Sequence, residues 1–175
     1  MRRCLILAFL IFGVVAQPAA AAVLDERMHE LTFDFSYIDT DDIGSQTLLS
    51  VAWLFILSNG YVEVGRELEY FKVELDDFDE TFDATAIGPR VDFNFTPANP
   101  VTGFLTASFA FFGGDFGDVF DNGIRFGVGL KAFMGDSAAI NVILGRETLY
   151  AAEDFIDDQD STFLIAGLSV FFGKR

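Results

Sequence analysis

The chain of 175 residues combines a hydrophobic content of 51% and a mean hydropathy of +0.37 with a formal net charge of −16. These opposing values require a fold that separates apolar from acidic surfaces, and the length allows one domain. The acidic balance argues against nucleic-acid binding, which needs a basic surface. One His and one Cys argue against a His-based metal site or a disulfide framework, so we expect no metal and no cofactor.

The first 22 residues have the features of a cleaved secretory signal peptide. Arg2 and Arg3 give a positive start, residues 5–16 form an apolar stretch, and residues 19–22 are alanines that suit cleavage. The apolar stretch is short for a transmembrane helix, which needs ~20 residues. We therefore predict an exported chain, with residues 1–22 as the signal peptide and residues 23–175 as the folded domain.

The rest of the chain alternates apolar with polar or small residues, the period of two that is typical of β-strands. Leu31 and Phe33, for example, alternate with Thr32 and Asp34. The most apolar later stretch, residues 48–57, has the length of a tilted transmembrane strand of ~9–11 residues and is too short for a helical span. We predict eight strands, over residues 29–38, 47–58, 61–73, 84–95, 101–112, 122–134, 138–150 and 161–172.

The connections between the predicted strands alternate in kind. Short turns follow the second, fourth and sixth strands, and Asn59-Gly60 in the first of them is typical of a tight hairpin. The other four connections are longer and acidic, which predicts an acidic rim at one end of the sheet. They contain most of the 27 acidic residues, namely Asp39, Asp41, Asp42, Glu74, Asp76, Asp77, Asp79, Glu80, Asp83, Asp115, Asp118, Asp121, Glu153, Asp154, Asp157, Asp158 and Asp160.

An eight-stranded antiparallel sheet hides its edges when it closes into a barrel. Such a barrel could be soluble, with the apolar residues inside, or membrane-embedded, with the apolar residues outside. The apolar sets are too large for an eight-stranded interior, and short turns opposite longer loops are typical of outer-membrane barrels. We therefore predict an all-β fold, an eight-stranded antiparallel up-and-down transmembrane β-barrel.

These features together resemble the small outer-membrane β-barrels of Gram-negative bacteria, of the OmpA/OmpX type and the opacity-like, porin-like proteins. The last strand places Leu168, Val170 and Phe172 outward, which is similar to the C-terminal signal that this family presents to the outer-membrane assembly machinery. The resemblance implies an outer-membrane location and contact with outer-membrane lipid, lipopolysaccharide and that machinery. Because a closed barrel has no free edge, we expect a monomer.

The same alternation directs charged residues of both signs into the lumen. Charges removed from bulk water persist only when they are paired, so we expect an ion-pair network that plugs the barrel. The alternatives are a narrow polar channel, or a route for small hydrophobic molecules along an apolar inward set (Leu48, Ala52, Leu54, Ile56, Phe104, Phe163, Ile165 and Phe171). The predicted network contains Asp34, Glu63, Glu67, Glu69, Arg90, Asp92, Arg125, Lys131 and Glu147.

Two arginines depart from this pattern. Arg66 falls on the lipid face in mid-strand, where a charge costs ~2–4 kcal/mol. A bulge at Gly65 would turn it inward, but would then misplace Glu67 and Glu69. Arg146 also points outward, near the acidic rim, where it would extend into water or meet a lipid phosphate.

Other chemistries find little support. Residues 39–44 begin like a Ca²⁺-binding loop, but Ile43 stands at the fifth position, where an oxygen ligand is needed, and Ser50 stands at the twelfth position, where Glu is needed. Divalent cations could still bridge the acidic rim to lipopolysaccharide. A lipid-modifying enzyme would need a His-activated nucleophile, and no Ser is spaced to pair with His29, so we predict no enzyme. The expected role is structural or surface-interacting, with a small-solute channel as the alternative.

Overall fold

The computed structural model describes residues 28–40, 44–75, 80–152 and 158–173. The predicted signal peptide lies outside these residues. Within them, eight antiparallel strands form a closed barrel in chain order, and the last strand pairs with the first, which confirms the predicted fold class. The strands are β1 (Met28–Thr40), β2 (Gly44–Leu57), β3 (Val62–Leu75), β4 (Glu80–Asn94), β5 (Val101–Gly114), β6 (Phe120–Phe133), β7 (Ala138–Ala151) and β8 (Gln159–Gly173).

The barrel is apolar outside and polar inside. Alternate residues of each strand point to opposite faces, so Phe33 and Phe35 of β1 lie on the outer surface while Asp34 between them is buried. Large apolar side chains cover the outside of every strand; Trp53, for example, is 51% exposed. This separation explains how the chain combines a positive mean hydropathy with a large negative net charge. No α-helix among the described residues is long and apolar enough to cross a membrane.

The two ends of the barrel differ. We call the end with residues 58–61, 95–100 and 134–137 the turn end, and the opposite end, where β1 meets β2, the acidic end. Ser58, Asn59 and Gly60 all have positive φ, as a tight reversal requires. The described and exposed acids of the acidic end are Asp83, Asp118, Asp121, Asp158 and Asp160.

The predicted difference in length between the two sets of connections is not observed. The strands continue into the acidic segments, so that β1 ends at Thr40, β3 ends at Leu75 and β4 begins at Glu80. At the acidic end the strands are separated only by residues 41–43, 76–79, 115–119 and 152–158. Cross-strand hydrogen bonding favours this extension even where the sequence is acidic, because the extended ends of β1 and β4 pair with β2 and β3, and the end of β3 pairs with strands on both sides.

The alternative of a bulge at Gly65 is wrong. The registers of β3 with both neighbours run without interruption through this position, pairing Arg66 with Trp53 on β2 and with Pro89 on β4. The β4–β5 ladder, in contrast, has no paired residues at Gly88 and Pro89. Proline has no N–H to contribute to a ladder, which accounts for a break at this point.

Inside the barrel, apolar side chains close the turn end. Met28, Ile56, Phe133, Ala139 and Phe171 form one buried cluster contributed by the turn-end residues of their strands. A second cluster lines the walls nearer the middle and the acidic end; it contains Leu48, Phe71, Ala84, Ala86, Phe104, Ala110, Ile143, Phe163 and Ile165. The charged side chains of the lumen lie between and beside these two clusters.

Candidate functional site

Three buried cations organise the lumen. Arg90 projects inward from β4, and Arg125 and Lys131 project inward from β6. Each is at most 6% exposed and each contacts carboxylates from other strands. They stand at different heights along the barrel axis, and we describe their surroundings from the turn end upward.

Lys131 lies nearest the turn end and joins opposite walls of the barrel. Its Nζ donates to Glu30 Oε2 at 2.7 Å and to Glu63 Oε2 at 2.9 Å. Glu30 also accepts hydrogen bonds from Thr32 and Ser169. The Nζ lies 5.5 Å from the ring centre of Phe104, within the range of a cation–π interaction. Carboxylate and aromatic partners together replace the water that an ammonium group loses on burial.

Arg90 stands at mid-height and contacts three carboxylates. Its Nε and Nη2 donate to the two oxygens of Asp92 at 3.1 and 3.0 Å, which is the bidentate geometry that suits a guanidinium. Its Nη1 donates to Asp34 Oδ2 at 2.9 Å and to Glu67 Oε1 at 3.0 Å. Ser50 donates to the same Glu67 oxygen at 2.9 Å. One guanidinium therefore links β1, β3 and β4.

Arg125 stands closest to the acidic end. Its Nη1 and Nη2 donate to the two oxygens of Glu69 at 2.8 and 3.0 Å, and Nη2 also donates to Glu147 Oε1 at 2.7 Å. The guanidinium carbon lies 5.2 Å from the ring centre of Phe163. These contacts connect β3, β6, β7 and β8 across the upper lumen.

Two small cavities adjoin Arg125. One lies toward the acidic end, is lined by Ser36, Gln46 and Thr162 among others, and has a volume of about 30 Å³. The other lies toward Arg90, is lined by Asp34, Glu67 and Thr106 among others, and has a volume of about 10 Å³. Such volumes hold roughly one to a few waters. Arg125 and Phe163 both line the two cavities.

Acids outnumber bases in the lumen. Among the described residues, the buried carboxylates Glu30, Asp34, Glu63, Glu67, Glu69, Asp92 and Glu147 face only the three buried cations Arg90, Arg125 and Lys131. Asp34 Oδ1 and Arg125 Nε have no hydrogen-bond partner in the described part of the chain. The excess of carboxylates would repel anions and attract small cations that enter the lumen.

All nine residues of the predicted network lie inside the barrel, and the structure brings them together in these three groups. Glu30 is absent from the predicted network, although it stands on the same strand face as Asp34 and shares its parity. The hydroxyl groups of Thr32, Ser50 and Ser169, which bind the acids, are also absent from it. The alternating pattern alone could have found all four of these residues.

The remaining residues of interest lie on the outer surface. Leu168, Val170 and Phe172 of the predicted assembly signal face outward from β8. Arg146 forms an exposed ion pair with Asp160 at 3.5 Å instead of extending freely into water. His29 packs against aromatic side chains near the turn end, 4.9 Å from the ring centre of Phe55. No group of three or more potential metal ligands occurs within the described ranges.

Solved structures share this architecture. The N-terminal β-barrel domain of Pseudomonas aeruginosa OprF is 14% identical, with a TM-score of 0.51, and the match covers 84% of this chain and 98% of that domain. The Neisserial surface protein A is 13% identical, with a TM-score of 0.54 and coverage of 85% and 98%. The fold is that of the small eight-stranded outer-membrane barrels.

A designed transmembrane β-barrel matches in the same way, at 11% identity and a TM-score of 0.52, over 86% of this chain and 99% of the design. A designed barrel has no evolutionary relationship to natural ones, so the similarity reflects architecture. No family model matches the sequence, and no curated protein matches it.

Proposed function

We propose that this protein is an exported outer-membrane barrel of a Gram-negative envelope, with a lumen closed by ion pairs and an acidic rim outside the cell. Its role is structural or surface-interacting, and it works as a monomer. The observation that carries the proposal is the ionic network. Each of the three buried cations, Lys131, Arg90 and Arg125, binds carboxylates from two other strands. Such a network favours a fixed, filled interior over a passage.

The apolar exterior supports the membrane location. A soluble protein rarely exposes a continuous apolar surface, whereas a transmembrane barrel needs one around its whole circumference. The outward positions of Leu168, Val170 and Phe172 support a role for β8 in recognition by the assembly machinery. The exposed acids of the acidic end support contact with lipopolysaccharide through divalent cations.

A narrow cation channel is the second candidate function. The excess of buried carboxylates and the two cavities on either side of Arg125 favour it over an anion pathway. A movement of the Arg125 and Phe163 side chains, which line both, would join these cavities. The apolar cluster at the turn end would still have to open for a solute to pass through.

Single-channel conductance in a planar bilayer separates the two functions. We expect the folded protein to give no steps, with or without millimolar Ca²⁺, because the ion pairs and the apolar cluster fill the lumen. Steady cation-selective steps from the unaltered protein would instead establish the channel. Unboiled and boiled samples should also migrate differently on a denaturing gel, and identical migration would contradict a stable closed barrel.

A further inference from the structure

Arg66 is an unpaired cation on the apolar outer face of β3. Its side chain is exposed, and no hydrogen bond or ion pair connects it to another described residue. Its direct cross-strand neighbours, Trp53 on β2 and Pro89 on β4, are uncharged and also exposed. In a membrane-embedded barrel this guanidinium stands among lipid chains, where an uncompensated charge is costly.

The position of Arg66 along the barrel axis indicates at which membrane surface an anion could reach it. β3 begins at Val62, next to the exposed aromatic Tyr61 at the turn end. Arg66 is four residues further along, which places it roughly 10 Å from that end along the axis of a barrel with strands tilted by about 45°. The apolar band of such barrels is about 25 Å tall, so Arg66 lies in its turn-end half. A long arginine side chain can bend from there toward the nearer membrane surface.

The neighbouring aromatic residues mark that surface. Trp53 Nε1 donates to His29 Nδ1 at 3.3 Å, so the polar edge of the indole points toward the turn end. His29 stacks on Phe172, with 5.5 Å between ring centres. Trp and other amphipathic rings concentrate at the level of the lipid headgroups. The guanidinium of Arg66 therefore has a polar zone within reach beside this aromatic group.

Among the described residues, none near Arg66 on the outer face offers it a counter-ion. The other outward residues around it are apolar: Val51, Phe55, Val64, Leu68, Ile87 and Val91. Among the described exposed acids, Asp83, Asp121 and Asp160 lie near the acidic end, and Asp136 lies at the turn end between β6 and β7, at least three strands away from β3 around the barrel. The surrounding lipid can supply the anion.

We propose that Arg66, beside Trp53 and His29, binds the phosphate of an anionic glycerophospholipid in the leaflet at the turn end of the barrel. This inference rests on the proposed membrane location of the barrel. A guanidinium pairs with phosphate through two parallel hydrogen bonds, which compensates its charge at the edge of the apolar band. The site thus selects lipid by headgroup charge, at one position on the circumference.

The single tryptophan of the chain allows a direct test, because Trp53 is opposite Arg66 in the β2–β3 register. The full protein is reconstituted in vesicles of phosphatidylglycerol and phosphatidylcholine in equal amounts, with bromine on the acyl chains of one lipid or of the other. Bromine quenches tryptophan fluorescence at short range, so the two samples report which lipid lies beside Trp53. We expect about fivefold enrichment of phosphatidylglycerol, the effect of one basic residue near an anionic lipid surface.

Three variants identify the source of this preference. Arg66→Gln should reduce the enrichment to about onefold, and Arg66→Lys should retain part of it, because an ammonium keeps the charge but loses the paired geometry. Arg146→Gln removes an exposed outward arginine near the acidic end and should leave the enrichment unchanged. Each variant is first checked for heat-dependent migration, so that only folded barrels are compared.

Equal quenching by both lipids in the unaltered protein would overturn the site for an anionic lipid, because phosphatidylcholine carries the same phosphate without the net charge, while leaving the barrel in the membrane. An enrichment that persists in Arg66→Gln would overturn it as well. Absence of quenching by either lipid would mean that Trp53 does not face lipid chains, which would overturn the proposed membrane location and with it this site.

Discussion

Glu30 on the first strand and Lys131 on the sixth meet across the lumen, with 2.7 Å between Glu30 Oε2 and Lys131 Nζ. The two strands are not neighbours in the sheet, so this ion pair spans the interior of the barrel. Glu63 on β3 contacts the same ammonium group at 2.9 Å. A single side chain thus connects three separate parts of the wall.

Removing Lys131 should be strongly destabilising. Lys131→Met leaves Glu30 and Glu63 buried without their cation, and we expect the free energy of unfolding to fall by about 3–5 kcal/mol. Urea unfolding in detergent, followed by the change in gel migration, measures this loss. Arg146→Gln serves as the control, because an exposed ion pair contributes only about 0–1 kcal/mol.

The loss should be recovered when the acids are neutralised together with the base. In the triple variant Lys131→Met, Glu30→Gln, Glu63→Gln no charge is left without a partner, and the amide oxygen at position 30 can still accept from Thr32 and Ser169. We expect stability within about 1.5 kcal/mol of the unaltered protein. A triple variant as unstable as Lys131→Met would show that packing, rather than charge, makes Lys131 important.

Arg125 should control access from the acidic end. It lines both small cavities, together with Phe163, and holds Glu69 and Glu147. In Arg125→Gln the cavities can join and the carboxylates face them directly, so we expect brief cation-selective steps in a planar bilayer. Arg146→Gln should remain silent, and silence of Arg125→Gln as well would assign the closure of the lumen to the ion pairs of Arg90 and Lys131 and the apolar cluster at the turn end.

Gly88 should tolerate no side chain. A Cβ at this position would lie 1.5 Å from the backbone oxygen of Phe109, an atom that cannot move without displacing β5. We expect Gly88→Ala to lower the free energy of unfolding by about 3 kcal/mol or more. Gly113→Ala is the matched control, since its nearest contacts would lie at 3.9 Å. Equal stability of the two variants would contradict the close approach of β4 and β5.

The acidic end should bind lipopolysaccharide only when divalent cations are present. Asp118 and Asp121 are exposed there and repel an anionic surface unless a cation lies between. We expect millimolar Ca²⁺ to increase binding of the reconstituted protein to immobilised lipopolysaccharide, and Asp118→Asn with Asp121→Asn to reduce that increase. Asp136→Asn, at the turn end, should leave it unchanged. Binding independent of Ca²⁺ would contradict the cation bridge.

Much of the fold follows from the alternation of residues along the chain. A period of two assigns each side chain of a strand to one face, and hydropathy then decides which face meets lipid, so the inward positions of Asp34 and Arg125 could be predicted. The ends of the strands could not. Acidic segments resemble loops in composition, yet β3 continues to Leu75 because neighbouring strands supply its hydrogen bonds.

The partners within the lumen could not be predicted from the sequence either. Parity places Lys131 and Glu63 inside, but the stagger of the strands around the closed sheet decides that they stand at the same height. That stagger is a property of all eight pairings together. The sequence could not decide the position of Arg66 either. Only the uninterrupted registers of β3 exclude a bulge that would turn this side chain inward.

The seam between β1 and β8 has a consequence for the order of assembly. It joins the beginning of the barrel to its end, and Glu30 on β1 accepts a hydrogen bond from Ser169 on β8. Glu30 and Asp34 also bind cations from β6 and β4, so β1 cannot satisfy its buried acids until nearly the whole chain is present. The buried acids of β1 therefore have their full set of partners only in the closed barrel, when the first strand meets the final one.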